Sequence, residues 1–415
     1  MATVLFLTQV LPYPLDSGPR VRQYHMLRHL ASQHQVKLVS FVRPDDTPEA
    51  VQHLQSLCQA VYTVPMRRSA WRNLRAGAKS LLTGLPAVIV RDEVREMFDV
   101  LKQVTEAVGF DVIHADQLSM ALYGRWAKKI SPMSHSLLDE HNAVYLLAQQ
   151  LASREINPIR RALVAREARA MAAYEAAMCR AYDAVLTVIP EDRDRLLALF
   201  APAERQRLQE KFAVIPICVD PDRIEPARPA LRPGGEPTIL HIGTMFWPPS
   251  VAGVLWFARQ VLPCIHQQLP GARFVIVGKS PPAEVRALTS DPRVEVTGYV
   301  DDLSPYIATA DAFVVPLHIG EGMRVKILDA WSWGLPIIST PIGAEGIQVR
   351  PGENIMIAAG AEEFASAVVS VLTDRSLNER LRAAGRSWVE ANYAWQTAYA
   401  RVDEVYARLL NGKKS

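Results

Sequence analysis

Four charged residues share one short stretch, GEGMRVKILDAWSWG at 320–334. Gly320 and Gly322 bracket Glu321, and Arg324, Lys326 and Asp329 follow on a predicted helix that Gly334 and Pro336 close. The N–H groups at a helix start have no intrahelical partner, and the helix dipole is positive there. A phosphate group answers both features. Arg324 and Lys326 stand at that positive end, where a purely structural preference for cations is weakest, so the pair points to an anion. Asp329 follows Glu321 by eight residues. On a continuous helix that is about 12 Å of axis, enough for two carboxylates to reach different hydroxyls of one ligand. A second reading stays open on residue types alone: a solvated helix with a Lys326–Asp329 pair at i,i+3.

The elements that position this stretch follow from periodicity. Apolar runs predict strands at 3–8, 36–42, 61–65, 111–115, 136–141 and 184–189, separated by helical segments such as 20–33, 92–107 and 143–180. A second set follows at 238–243, 273–278, 294–298, 311–316, 336–340 and 354–358. Continuous apolar strands alternating with helices predict parallel sheets covered on both faces. The Pro- and Gly-rich PDRIEPARPALRPGGEP at 221–237 reads as a linker. The expected organisation is therefore α/β, with two Rossmann-like domains, 1–220 and 238–394, facing a cleft. A C-terminal helix at about 395–415 is expected to pack back on the first domain. In such sheets ligands bind beyond the carboxyl ends of the strands, which puts 317–322 at a ligand-binding edge.

Composition narrows the classes. The chain has 415 residues, 49% of them hydrophobic and 21% charged, as in a soluble globular protein of more than one domain. A net charge of +3 is too small to argue for nucleic acid as the main partner, and none is expected. No apolar run is long enough to span a bilayer, and the N-terminus reads as a first strand, not a signal peptide. Cys58, Cys179, Cys218 and Cys264 are scattered, as free thiols of a reducing cytoplasm would be.

The motifs then resemble a known family. Glu321-x7-Asp329 resembles the E-x7-E element of the retaining family 4 glycosyltransferases, with Asp in the second position. GMRVKILDAWSWGLPIISTPIGAEG resembles the form found in polysaccharide-biosynthesis members. LPYPLDSGPRVR (11–22) resembles their N-terminal glycine loop, and VIPICVD (214–220) the segment before the linker. HIGTMFWPPSVAGVLWF (241–257) and DPRVEVTGYVDDLSPYIATADAFVVPL (291–317) resemble strands and loops of the donor domain.

The resemblance implies the GT-B fold, with a nucleotide-diphosphate sugar as donor substrate, held mainly by the C-terminal domain. It implies no other cofactor and no metal. By position, Asp329 would bind the ribose and Glu321 the sugar hydroxyls, while Gly320, Gly322 and Met323 would bring the backbone to sugar or phosphate. Gly18 and Gly243 would let their loops approach the diphosphate. Many members carry an Arg and a Lys after the first donor-domain strand; GTMFWPPS (243–250) has neither, and Arg324 and Lys326 are the expected replacements. Ile217-Cys218 replaces the usual Asn-Gly, a change without a derived effect. At the N-domain strand ends HADQ (114–117) and DEHN (139–142), Asp116 and His141 are the candidates for chemistry near the anomeric carbon, and His114 is expected in the core. Each of the two also has a structural reading, as a capping Asp or a hydrogen-bonded core His.

The expected activity is transfer of a sugar to an acceptor hydroxyl in surface-polysaccharide or glycolipid synthesis, with a glycan or lipid-linked acceptor. A nucleotide-sugar epimerase and a non-catalytic nucleotide-sugar sensor fit the same architecture. Asp220-Pro221-Asp222 imitates a D-x-D metal motif but lacks a second acidic cluster. Trp331 and Trp333 read as core packing. In 66–86, Trp71, Leu74, Ala78, Leu81, Leu82 and Leu85 form an apolar stripe beside Arg68, Arg72, Arg75 and Lys79. Such a helix either lies on the cytoplasmic face of an anionic membrane or buries its stripe against the sheet.

Overall fold

The computed structural model describes residues 1–15, 17–67, 69–224, 226, 236–319 and 323–412. Two compact units emerge: Met1–Ile217 with the chain from Ala398 on, and Cys218–Thr397.

The first unit is built on seven parallel strands: β1 (Thr3–Thr8), β2 (Gln35–Val42), β3 (Ala60–Pro65), β4 (Val112–Asp116), β5 (His135–Glu140), β6 (Ala184–Thr187) and β7 (Phe212–Val214). Their order is β3-β2-β1-β4-β5-β6-β7. One face of the sheet presents Leu5, Leu7, Val39, Ile113 and Leu138 to a single apolar core. On the other, His114 lies on Phe6, with ring centroids 4.5 Å apart, and its Nδ1 is 2.9 Å from the Tyr406 hydroxyl. Tyr406 belongs to the helix Trp395–Asn411, which also places Asp403 2.7 Å from His29. His114 is thus a core residue, as its position on a two-sided strand requires.

The second unit holds six parallel strands: β8 (Thr238–Ile242), β9 (Arg273–Val277), β10 (Val294–Gly298), β11 (Ala312–Val315), β12 (Ile337–Ser339) and β13 (Met356–Ile357). The order is β10-β9-β8-β11-β12-β13. Alternate residues divide between two cores, Ile239, Phe274, Ile276 and Val314 on one side, Leu240, Val275, Phe313 and Val315 on the other. Trp331 is fully buried in the second core and donates its indole N–H to Asn354 O at 2.8 Å.

Two details differ from expectation, and a third decides between two open readings. Strand β7 is a three-residue edge strand, too short to register as a periodic run. The segment 143–180 is two helices, Val144–Arg154 and Pro158–Ala181. Asn157 starts the second one, its side chain accepting from Ile159 N and Arg160 N ahead of Pro158, a strong helix-start signal. The stretch 66–86 is helical over Ala70–Thr83, and its apolar stripe faces solvent: Trp71 is 66% exposed and Leu82 88%. The buried side is Ala76 and Ser80, so burial of the stripe against the sheet is excluded. Half of its basic stripe is engaged. Arg72 donates to the carbonyls of Arg67 and Arg91, and Lys79 pairs with Glu93 at 2.7 Å. Arg68 lies outside the described residues.

Candidate active site

In both sheets the strand order reverses beside the first strand of the unit, between β1 and β4 and between β8 and β11. Ligands of such sheets bind at the carboxyl ends next to this reversal. Asp116 ends β4, Gly243 follows β8, and Met323, Arg324, Lys326 and Asp329 follow β11. Gly18 follows β1, as the first residue of the helix Gly18–Gln33. Gly320, Glu321 and Gly322 lie outside the described residues.

The first unit brings Asp116 and His141 together. His141 Nε2 stands 2.9 Å from Asp116 Oδ1, and Gln23 Nε2 donates to the other carboxylate oxygen at 2.5 Å. A carboxylate only accepts, so a neutral His141 carries its proton on Nε2 and turns the Nδ1 lone pair toward the Gln117 amide, 3.4 Å away. Gln117 holds φ at +69°, a conformation rare outside glycine, while its N–H donates to Asp139 O at 2.8 Å. Burial alone would raise the Asp139 carboxyl, but Arg22, with His114 and His141, drives it below the usual carboxylate range. The guanidinium Nη2 donates to Asp139 Oδ1 at 2.7 Å and Nη1 to Ile215 O at 2.6 Å.

Oxygen and nitrogen atoms of Asp116, Asp139 and His141 approach within 4.8 Å of one another, a trio that sequence spacing did not reveal. It does not fit a metal ion. The Arg22 guanidinium already occupies Asp139, and a divalent cation would have to displace that fixed charge.

The second unit assembles the cations. The helix spans Val325–Ser332, so Arg324 caps it and only Lys326 lies in its first turn. The helical rise therefore does not set the Glu321–Asp329 separation. Lys326 and Asp329 are enclosed by protein yet keep partial solvent access. Burial and the nearby Arg324 pull the Lys326 ammonium down to about 8, while Asp329 opposes them. Burial pushes the Asp329 carboxyl up to about 7 against Lys326. Among the described residues neither side chain makes a hydrogen bond. A Cβ at Gly243 would stand 2.9 Å from Lys326 Nζ, so glycine is what lets the lysine lie over this loop. A Cβ at Gly278, after β9, would collide with Gly243 O. Met323 is partly buried against the Trp331 core.

Residue types alone passed over Gln23 and Arg22, on the helix after β1, and His241 on β8. For His241 the signal was a polar side chain on an otherwise apolar, two-sided strand, whereas the helix of Arg22 and Gln23 is polar along its length and offered none.

Two family models match the chain: "Glycosyl transferase 4-like domain" over residues 17–209 and "Glycosyl transferases group 1" over residues 236–374. The chain belongs to the family 4-type glycosyltransferases. It is 31% identical over 242 residues to a GDP-mannose-dependent alpha-(1-6)-phosphatidylinositol monomannoside mannosyltransferase of Mycobacterium tuberculosis. That match covers 53% of this chain and 60% of the relative, so the chain spans about three fifths of the curated relative's length. A lipopolysaccharide core biosynthesis glycosyltransferase of Rhizobium meliloti is 34% identical over 125 residues, covering 29% of this chain and 35% of that protein. The crystal structure of Anabaena HepE in complex with UDP and glucose aligns with a TM-score of 0.68 at 13% identity, over 98% of this chain and 100% of that one. At that identity the likeness concerns the fold, two parallel-sheet domains of the GT-B type. The comparisons favour neither the epimerase nor the sensor.

Proposed function

We propose that this chain is a retaining glycosyltransferase that moves a sugar from a nucleotide diphosphate to an acceptor hydroxyl in glycolipid or surface-polysaccharide synthesis. The observation that carries the reading is Lys326, a half-buried ammonium without a hydrogen bond among the described residues, lying over Gly243 beside Arg324. A leaving diphosphate gains negative charge as the glycosidic bond breaks, and fixed cations stabilise that charge without reorganising. On this reading Arg324 and Lys326 hold the diphosphate, aided by backbone at Met323, Gly320 and Gly322. Asp329 takes the ribose and Glu321 the sugar hydroxyls, and Gly18 keeps its loop open for the diphosphate. His141, oriented by Asp116, addresses the sugar. A leaving-group oxygen then accepts the acceptor proton on the face that the diphosphate vacates, so neither a protein nucleophile nor a metal is required.

The decisive experiment incubates the protein with UDP-, GDP- and ADP-sugars, with and without glycan or lipid-linked acceptors. Acceptor-dependent release of nucleoside diphosphate is expected. A new nucleotide sugar formed without acceptor, or binding without turnover, would overturn the assignment.

The acceptor reading extends to a membrane surface on the cytoplasmic side. No helix among the described residues is long and apolar enough to cross a membrane. The exposed face of Ala70–Thr83 is joined by Leu147, Leu151, Ile156, Ile159 and Leu163 on the helices Val144–Arg154 and Pro158–Ala181 and their connection. Arg166 ties Pro158–Ala181 to Ser80 of Ala70–Thr83. Large apolar side chains beside the exposed Arg67, Arg75, Arg160 and Arg161 suit an anionic bilayer that carries a lipid-linked acceptor.

A further inference from the structure

We propose that His241 is a positioning residue for the Lys326 ammonium: a neutral imidazole under Gly243 presents an Nε2 lone pair that holds the cation over the start of its helix. His241 lies on β8, fully buried. Its Nδ1 is 2.9 Å from Val314 O, and a carbonyl only accepts, so the proton sits on Nδ1. Burial, reinforced by Lys326, lowers the imidazole to about 3, which keeps the ring neutral and leaves a lone pair on Nε2. That nitrogen is shielded from solvent and finds no partner among the described residues. A buried acceptor without a donor is rare in native proteins and asks for an explanation.

Gly243 supplies one. A Cβ built on it would stand 2.9 Å from His241 Nε2 and 2.9 Å from Lys326 Nζ, with Ser250 Oγ at 3.4 Å. Both nitrogens therefore press on the same point of the same glycine, and rotation about the lysine's terminal torsions brings ammonium to lone pair. Lys326 has reason to need such an anchor. It sits in the first turn of Val325–Ser332, where the helix dipole opposes a cation, and Arg324 repels it from the preceding residue. The charged and titratable groups that face it among the described residues are Arg324 and Asp329 on its own segment and His241 on β8. Asp329 attracts it from the helix, and the imidazole lone pair, closer to the Gly243 point than the Ser250 hydroxyl, draws it toward Gly243. A lone pair accepting from an ammonium favours the charged form, so its loss lowers the lysine's titration point. The role of the held cation rests on the nucleoside-diphosphate reading of this site; the contact does not.

The test uses the full chain with isotope-labelled lysines and NMR titration of the Lys326 ammonium, assigned with Lys326→Arg. In His241→Phe, with His241→Leu as the alternative if the phenyl ring prevents folding, Lys326 is expected to titrate about one pH unit lower than in wild type, a tenfold change in its dissociation constant. His241→Gln returns an acceptor to the same place and should restore most of that shift. A purely structural histidine would cost melting temperature in all variants and leave the lysine titration where it was. Calorimetry with UDP and GDP forms the second arm. Affinity above the titration point should fall in His241→Phe and recover in His241→Gln. An unchanged Lys326 titration in a folded His241→Phe or His241→Leu overturns the positioning role, even if both variants bind UDP or GDP normally. A shifted titration in a protein that binds neither UDP nor GDP would support the contact and sink the diphosphate reading instead.

Discussion

His141 and Asp116 come from the ends of neighbouring strands and meet at 2.9 Å, with the imidazole proton directed at the carboxylate. Gln23 fixes the other carboxylate oxygen, so the ring orientation is set from behind. Catalytic groups held in this way contribute on the order of 100-fold or more. His141→Ala should lower turnover by about that factor, and Asp116→Asn by roughly tenfold through a misdirected ring. Release of nucleoside diphosphate in steady state is the measurement. Wild-type turnover in a folded His141→Ala protein would leave the pair a structural role only.

The cation cluster predicts a pH limb. Lys326 is held down to about 8 by burial and Arg324, so its charge is complete below that value and disappears as pH rises through it. Nucleoside-diphosphate affinity should therefore weaken on the alkaline side of about 8. Lys326→Arg, which does not deprotonate in this range, should remove the limb. Calorimetry between neutral and alkaline pH decides it: an identical limb in wild type and Lys326→Arg would place the titrating group elsewhere.

Metal independence is open to a direct check. Arg22 occupies Asp139 in the one trio of metal-ligand type found among the described residues, and on the proposed reading Arg324 and Lys326 neutralise the diphosphate. Turnover should persist in EDTA. Abolition by EDTA with recovery on magnesium or manganese would return Asp220 and Asp222 to consideration.

Much of this was legible from residues. Two sets of six apolar runs marked twelve of the strands, because most of them are buried on both faces and carry little polar alternation to blur them. The cations at 324 and 326 stood out because they sit at the wrong end of a helix. What could not be read was convergence across the chain. Gln23 and Asp116, which bond, and His241 and Lys326, which both lie against Gly243, are far apart in sequence and come together only because β1 pairs with β4 and β8 with β11. The outward turn of Trp71 and Leu74 was also hidden, since a helical stripe looks the same whether a sheet or solvent faces it.

Behind His141, Glu140 points the other way and is buried, and among the described residues neither carboxyl oxygen has a hydrogen-bond partner. Burial, with Glu175 and Asp139 close by, holds it well above the ordinary range, and burial raises Glu175 to about 8. A raised acid keeps its proton in the fold while the unfolded chain loses it, so stability is full below the unfolded value and falls as pH rises toward the folded one. Melting temperature should thus decline between mildly acidic pH and about 8. Glu140→Gln, neutral throughout, should flatten that decline. A slope that is the same in the variant would mean other groups set it.

The exposed face of Ala70–Thr83, Val144–Arg154 and Pro158–Ala181 predicts where the protein works. Arg72 and Lys79 are committed to the protein, so attraction to anionic lipid falls to Arg67, Arg75, Arg160 and Arg161, all exposed. Each cation near such a surface gains about 1 kcal/mol, and salt screens the gain. Trp71, Leu74 and Leu82 then add shallow insertion, which salt does not remove. Co-sedimentation with vesicles of phosphatidylglycerol and phosphatidylcholine separates the two contributions. Arg75→Glu with Arg160→Glu and Arg161→Glu should lose most binding at low salt. Trp71→Ser with Leu74→Ser and Leu82→Ser should lose the fraction that survives at high salt. Because these residues lie outside both charged clusters, turnover on a water-soluble acceptor should be unchanged in either variant. Negligible vesicle binding by the wild-type protein at low salt would remove the membrane reading and leave sugar transfer to a soluble acceptor.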